Sequence, residues 1–296
     1  MQLKTAQDFD QELLILFDAY VHGTIDRRGF LDRAQKFAVG GMTAAGLLAA
    51  LSPDFARAQV VPKDDKRIQA AMIEYPSTAG NGTMKGYLAK PAGMTGKLPT
   101  VLVIHENRGL NPHIEDITRR LALDNFVAFA PDALTPLGGY PGNEDKAREE
   151  FAKLDQKKAL EDFVAGANFL KNRPESNGKI GAVGFCYGGG MVHMLSVRMP
   201  ELNAGVPFYG NQPSPADAAR VKAPLQMHFA AIDERINASW PAYEAALKAA
   251  NVPYTAYQYP GTQHGFNNDT TPRFDAAAAK LAWGRTLEFF NKTLRT

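Results

Sequence analysis

Beyond residue 60 the chain alternates two kinds of hydrophobic pattern. Ile68 to Tyr75 and Met84 to Ala89 are short alternating segments split by Gly80-Asn81-Gly82, a pattern that predicts an antiparallel hairpin. Continuous apolar runs follow at Thr100–His105, Phe126–Ala130, Lys179–Gly184, Ala204–Phe208, Pro224–Phe229 and Tyr254–Tyr259. Runs of this kind suit strands covered on both faces of a parallel sheet. Between them the apolar spacing turns helical. Ile114, Ile117, Leu121 and Leu123 mark one helix, and Leu160, Phe163, Val164, Ala167 and Leu170 a longer one that ends before Pro174. Met191, Met194 and Leu195 mark a third, Tyr243, Ala246 and Leu247 a fourth, and Ala278, Leu281, Leu287 and Phe290 the last. Strands alternating with helices predict βαβ units and an α/β fold.

One strand ends in an unusual way. Lys179-Ile180-Gly181-Ala182-Val183 runs into Gly184-Phe185-Cys186-Tyr187-Gly188-Gly189-Gly190. A G-x-C-x-G between a strand and a helix has the form of a nucleophile elbow, whose sharp turn excludes bulk from the neighbouring positions. Outside such a frame, a lone cysteine reads as a small buried hydrophobe.

In an open α/β sheet, sites form past the carboxyl ends of the strands. The polar residues in those places are Glu106-Asn107-Arg108, Asp132, Cys186, Tyr209, Asp233-Glu234-Arg235 and His264. Cys186, Asp233 and His264 follow the chain order nucleophile, acid, histidine, which is the α/β-hydrolase order. His105, His193 and His228 read as hydrogen-bonded or core residues. His113 starts a helix and His22 falls in the leader. No histidine pair has metal-ligand spacing, so no metal is expected.

These residues together resemble the dienelactone hydrolase (carboxymethylenebutenolidase) family. The likeness is carried by His105 to Asn111, Pro131-Asp132, the Gly184–Gly190 elbow, Tyr209-Gly210, Asp233 and His264-Gly265-Phe266, and spans roughly residues 65–294. It implies an α/β-hydrolase fold, with a mainly parallel sheet of about eight strands flanked by helices on both faces, and no cofactor. It also implies a cysteine-dependent ester or lactone hydrolase in which Cys186, Asp233 and His264 form the triad and a thioester is the intermediate. Glu106 corresponds to the family's carboxylate that contacts the resting thiol. The backbone N–H groups of Tyr187 and Asn107 are the oxyanion candidates. Arg108, Arg235 and Tyr209 are candidate substrate contacts. Family members that act on dienelactone place an arginine a few residues past the histidine. Here Gly265 to Asp269 contains none, and the next is Arg273. The resemblance therefore supports an ester or lactone substrate rather than dienelactone itself. Two other readings are a silent α/β-hydrolase-fold binding protein and a redox-sensing thiol without a resolving cysteine.

The first 58 residues pose a separate question. Arg27-Arg28-Gly29-Phe30-Leu31, a weakly apolar run from Phe37 to Leu51, and Ala56-Arg57-Ala58 have the form of a twin-arginine export signal cleaved after Ala58. This reading expects the Tat machinery as a partner, a periplasmic or exported product, and a catalytic domain over residues 59–296. The apolar run is too short and too rich in Gly and Ala for a stable membrane span. Leu13, Leu14, Leu16, Phe17 and Tyr20 also fit an amphipathic helix. The alternative is a retained N-terminal arm on a cytoplasmic protein.

Composition narrows the field further. Thirty-three basic residues against 31 acidic leave no excess that points to nucleic acid. A single cysteine in 296 residues excludes an intramolecular disulfide.

Overall fold

A computed structural model describes residues 4–296. Three helices come first: α1 (Gln11–Val21), α2 (Arg27–Ala34) and α3 (Ala44–Leu51), followed by the short α4 (Phe55–Ala58). The hairpin β1 (Ile68–Ser77) and β2 (Gly82–Pro91) is antiparallel, as its alternation predicts. Then come β3 (Leu98–Ile104), α5 (Pro112–Leu123), β4 (Val127–Pro131), α6 (Glu144–Phe151), α7 (Gln156–Lys171), β5 (Ser176–Phe185) and α8 (Tyr187–Arg198). The chain finishes with β6 (Ala204–Phe208), β7 (Leu225–Ile232), α9 (Glu234–Asn237), α10 (Trp240–Ala249), β8 (Tyr254–Gln263) and α11 (Ala276–Leu294).

The eight strands form one sheet in the order β1-β2-β4-β3-β5-β6-β7-β8. The β1–β2 and β2–β4 pairings are antiparallel and the rest are parallel. Successive side chains of a strand point to opposite faces, and both faces are dry here. Val101, Val103, Val183 and Val206 pack with Ile114 and Leu121 of α5 and Phe290 of α11. Leu102, Ile104, Ile180 and Ala182 pack with Phe163 and Leu170 of α7 and Leu195 of α8. Leu281 departs from the expected pattern. It is 50% exposed, because α11 buries Ala282, Thr286, Phe290 and Leu294 at four-residue spacing instead.

The N-terminal helices have a small core of their own. Leu13, Leu14, Phe17 and Tyr20 of α1 meet Phe30 and Ala34 of α2 and Leu47, Leu48 and Leu51 of α3. Arg27 and Arg28 open α2, where Arg27 bonds Asp145 at 2.6 Å. Among the described residues no helix is long and apolar enough to cross a membrane.

Glycines allow the sheet and α8 to close on each other at the elbow. A Cβ on Gly184 would lie 2.1 Å from the Gly188 carbonyl oxygen, and one on Gly188 would lie 2.1 Å from that of Ile104. Neither neighbour can yield, because both are backbone atoms. Gly190 differs, since its nearest would-be contact is at 3.5 Å. Gly188→Ala is therefore expected to cost at least about 3 kcal/mol, the upper end for overpacking. Gly190→Ala is expected to shift stability by less than about 1 kcal/mol, because a helical Gly→Ala change is itself favourable. Urea unfolding of the two variants checks this, and equal losses would refute it.

Candidate active site

Cys186 sits at the turn between β5 and α8 with φ 55° and ψ −111°. This is a left-handed, strained backbone for a side-chain-bearing residue. Its N–H donates to the Phe208 carbonyl at 3.1 Å and its carbonyl accepts from Gly190 N–H, also at 3.1 Å. The turn is thus tied to β6 and to the first turn of α8. Cys186 is 9% exposed.

The loops after β7 and β8 bring the acid and the histidine to it. Asp233 and His264 are both buried, and His264 Nδ1 donates to Asp233 Oδ2 at 2.6 Å. The ring of Tyr209 packs against His264 with centroids 4.9 Å apart. Tyr209 and His264 thus share one wall of the site. Burial pushes the His264 pKa down, but the Cys186 sulfur and the Asp233 carboxylate outweigh it and raise it to about 10. Burial pushes the Cys186 thiol up, and the His22 and His264 rings overcome that to bring it down to about 6. Sulfur and ring are therefore poised as a thiolate–imidazolium pair.

The β3–α5 loop carries Glu106, Asn107 and Arg108. His105 anchors this loop: its Nδ1 donates to the Glu106 carbonyl at 2.6 Å, and its Nε2 accepts from Ala133 N–H at 3.1 Å. Buried Asp132 adds to the anchor by accepting from the N–H groups of Leu110 and Leu134. His193 and His228 are core residues, as expected, and burial lowers the pKa of each to about 3. Tyr187 is the first residue of α8, so its N–H is one of the four without a partner inside the helix. The Tyr187 ring is directed into the core, where it stacks on His105.

Glu106 and His22 stand differently toward the sulfur. Glu106 lines the same cavity as Cys186, but its Oε2 accepts from Asn268 Nδ2 at 2.8 Å. The polar contact with the sulfur is made instead by His22, whose Nε2 lies 3.2 Å from Cys186 Sγ. Helix α1 ends beside the elbow, and the backbone just before His22 is held there. Asn107 Nδ2 donates to the Val21 carbonyl at 2.8 Å and Arg108 Nη2 to the same oxygen at 3.2 Å. Residue 22 therefore takes part in the geometry around the sulfur.

The arginines are placed as follows. Arg108 is 7% exposed and is spent on the Asn107 and Val21 carbonyls, with Glu144 at 3.7 Å. Arg235 lies at the surface and its Nη2 is 3.1 Å from His22 Nε2. Arg273, nine positions after His264, returns to the pocket and pairs with Asp18 through a 3.1 Å bond. Asp18 also accepts from His22 Nδ1 at 3.2 Å. Burial opposes its charge, yet the bond to His22 and the nearby His264 and Arg273 hold its carboxyl well below the ordinary range. Asp18, His22 and Arg273 were not singled out from sequence. The available signal was Asp18-x-x-x-His22, an i,i+4 pair that shares one helix face.

Sulfur and a ring nitrogen of each of His22 and His264 lie within 4.8 Å of one another. These are metal-ligand types that sequence spacing does not bring together. The Arg235 guanidinium beside His22 already places positive charge where a cation would need to sit.

Two cavities reach the sulfur. One, of about 50 Å³, is lined by Glu106, Arg108, His264, Asn268 and Arg273 and closed by Phe17, Tyr20 and Val21. It has room for one or two waters, at about 30 Å³ each. The other, of about 150 Å³, is lined by His22, Asn107, Tyr187, Tyr209, Asn211 and Arg235. A volume near 150 Å³ is about that of a site that holds benzene, so the second cavity fits a small acyl group.

A family model described as the dienelactone hydrolase family matches residues 84–294, and one described as YqhI-like matches residues 1–39. "Putative carboxymethylenebutenolidase" of Escherichia coli (strain K12) is 31% identical over 262 residues, which cover 84% of this chain and 95% of that protein. "Putative hydrolase fragment YghX" of the same strain is 53% identical over 114 residues, 38% of this chain and 97% of the fragment. The crystal structure titled "Putative Dienelactone Hydrolase" from Klebsiella pneumoniae superposes with a TM-score of 0.68 at 27% identity, over 76% of this chain and 99% of that one.

The electrostatics generate a test that needs no substrate. Iodoacetamide alkylation of Cys186 is expected to rise with pH through a midpoint near 6, where the thiol ionises, and to stay high through neutrality. A midpoint near the usual thiol value of about 8.5 would refute the charge-paired site.

Proposed function

Because the chain belongs to the dienelactone hydrolase family, we propose that it hydrolyses small esters or lactones through a thioester on Cys186, with His264 and Asp233 completing the triad. The observation that carries this reading is the bond from His264 Nδ1 to Asp233, which leaves the other ring nitrogen free on the side of Cys186. Asp233 fixes the tautomer and orientation of the ring and steadies its positive charge. The thiolate attacks the carbonyl carbon. The oxyanion is received by the N–H groups of Tyr187 and Asn107, two residues that line the 150 Å³ cavity. Protonated His264 gives its proton to the leaving alkoxide. Neutral His264 then takes a proton from water as the water attacks the thioester. Arg235, at the mouth of the same cavity, is the guanidinium best placed to meet an anionic substrate group. Arg108 and Arg273 are occupied by the N-terminal arm.

We also infer that residues 11–53 stay with the enzyme as an arm and are not removed as an export leader. The reading is supported by their separate core, by the contacts of Val21, His22 and Asp18 at the site, and by the YqhI-like match over residues 1–39. Intact mass of protein recovered from its native host is expected to include this segment. A chain starting at Gln59 would return it to the export reading.

A panel of esters and lactones tests the activity. Turnover is expected to fall at least about 10³-fold in Cys186→Ala and in His264→Ala, in line with loss of a triad member. An acyl adduct of wild type should map to Cys186 by mass spectrometry. Unchanged turnover in Cys186→Ala would overturn the proposal.

A further inference from the structure

We propose that His22 is a second catalytic base at Cys186, oriented by Asp18 and supplied to the site by the N-terminal arm. The proposal rests on the ester-hydrolysis reading and adds a residue from outside the domain that carries the triad.

The tautomer of His22 can be read from its bonds. Nδ1 lies 2.8 Å from the Asp18 carbonyl oxygen, which can only accept, so Nδ1 carries a proton. The Asp18 carboxylate stands 3.2 Å from the same nitrogen. Arg235 Nη2, which can only donate, approaches Nε2 at 3.1 Å. Nε2 is therefore an acceptor, and its second neighbour is Cys186 Sγ at 3.2 Å. This is the arrangement a base needs to take the thiol proton. His264 Nε2, by contrast, has no hydrogen-bond partner among the described residues. The nucleophile thus lies between two Asp–His pairs, Asp18–His22 and Asp233–His264, whose rings meet edge to face with centroids 4.8 Å apart.

Two bases divide the proton traffic. The thiol ionises before substrate adds: the S–H bond breaks, its proton goes to His22 Nε2, and sulfur keeps the electron pair as the thiolate. The S–C bond forms and the carbonyl π pair moves to oxygen. On collapse the C–O bond to the leaving group breaks, and the alkoxide takes its proton from His264. Water then adds to the thioester and gives its proton to His264. The C–S bond breaks, and the sulfur recovers the proton held on His22. Ester and water become acid and alcohol, and both rings end as they began. The two cavities match this division. His22 borders the acyl-sized space and His264 borders the water-sized one.

The charged and titratable groups around the sulfur come from several elements. They are Asp18, Tyr20 and His22 of the arm, Glu106 and Arg108 after β3, Glu144 and Asp145 of α6, Tyr187 of α8, Tyr209 after β6, Asp233 and Arg235 after β7, and His264 and Arg273 after β8. The experiment uses the full chain and compares wild type, His22→Ala, His22→Gln, Asp18→Asn and His264→Ala, each checked by thermal melting. Two readouts are followed: the pH midpoint of Cys186 alkylation by iodoacetamide, and the burst and steady-state rates of p-nitrophenyl acetate hydrolysis. In both His22 variants the midpoint should rise by about one pH unit or more, and the burst should slow about 10²-fold. Deacylation should change less than about threefold. Asp18→Asn should shift the midpoint in the same direction by a smaller amount. His264→Ala should instead accumulate acyl-enzyme. A folded His22→Gln with an unchanged midpoint, or with a faster burst than wild type, overturns the proposal, the latter outcome making the arm a simple plug. If wild type hydrolyses no ester, the proposed function fails, and the alkylation midpoint still decides whether His22 acts on the thiol.

Discussion

The close approach of backbone to backbone around Cys186 is the constraint on which the site depends. Gly184, Gly188 and Gly189 let β5, α8 and β6 come within distances that no Cβ would tolerate. That approach forces Cys186 to a positive φ and exposes its sulfur at the carboxyl end of the sheet. Neighbouring strands then place their own terminal loops around it. Asp233 and His264 arrive from β7 and β8, Asn107 and Arg108 from β3, and Tyr209 from β6. The site residues are held by strand ends, and the sheet beneath them is packed on both faces.

The N-terminal arm changes what this frame contains. Residues 59–296 alone would offer one Asp–His pair, with Arg108 and Arg273 lacking their partners from the arm. With the arm docked, Asp18 neutralises Arg273, the Val21 carbonyl takes up Arg108 and Asn107, and His22 meets the sulfur. The arm also narrows the space beside Glu106 to about 50 Å³. Its hydrogen bonds at the site come from Asp18, Val21 and His22, whereas its own three helices supply the hydrophobic packing that keeps it folded.

Much of the fold was legible in the sequence, because both-sided burial leaves continuous apolar runs. The run Ala204–Phe208 coincides with β6 to the residue. The strand ends were read less well. Tyr254–Tyr259 continues to Gln263, since a register shift between Ala230 and Ile232 carries polar residues into the pairing. Leu281 shows why a helical pattern can mislead, as apolar residues on the far side of α11 mimic its buried face. At the site, Cys186, Asp233 and His264 could be found because each follows a strand. His22 and Arg273 could not be found that way. Their approach depends on a helix docking across 164 residues of sequence and on a loop folding back over nine, and neither leaves a local signature.

The docked arm also sets an order of events during biosynthesis. Residue 22 leaves the ribosome long before residues 186 and 264 exist, yet its bonding partners are among the last parts of the chain to be made. Contacts of such long sequence separation form late, after their loop-closure cost has been met. The three arm helices can shelter Leu13, Phe17 and Phe30 in their own cluster during the wait. The nascent chain therefore carries Cys186 in an incomplete pocket until the N-terminal helices dock beside it.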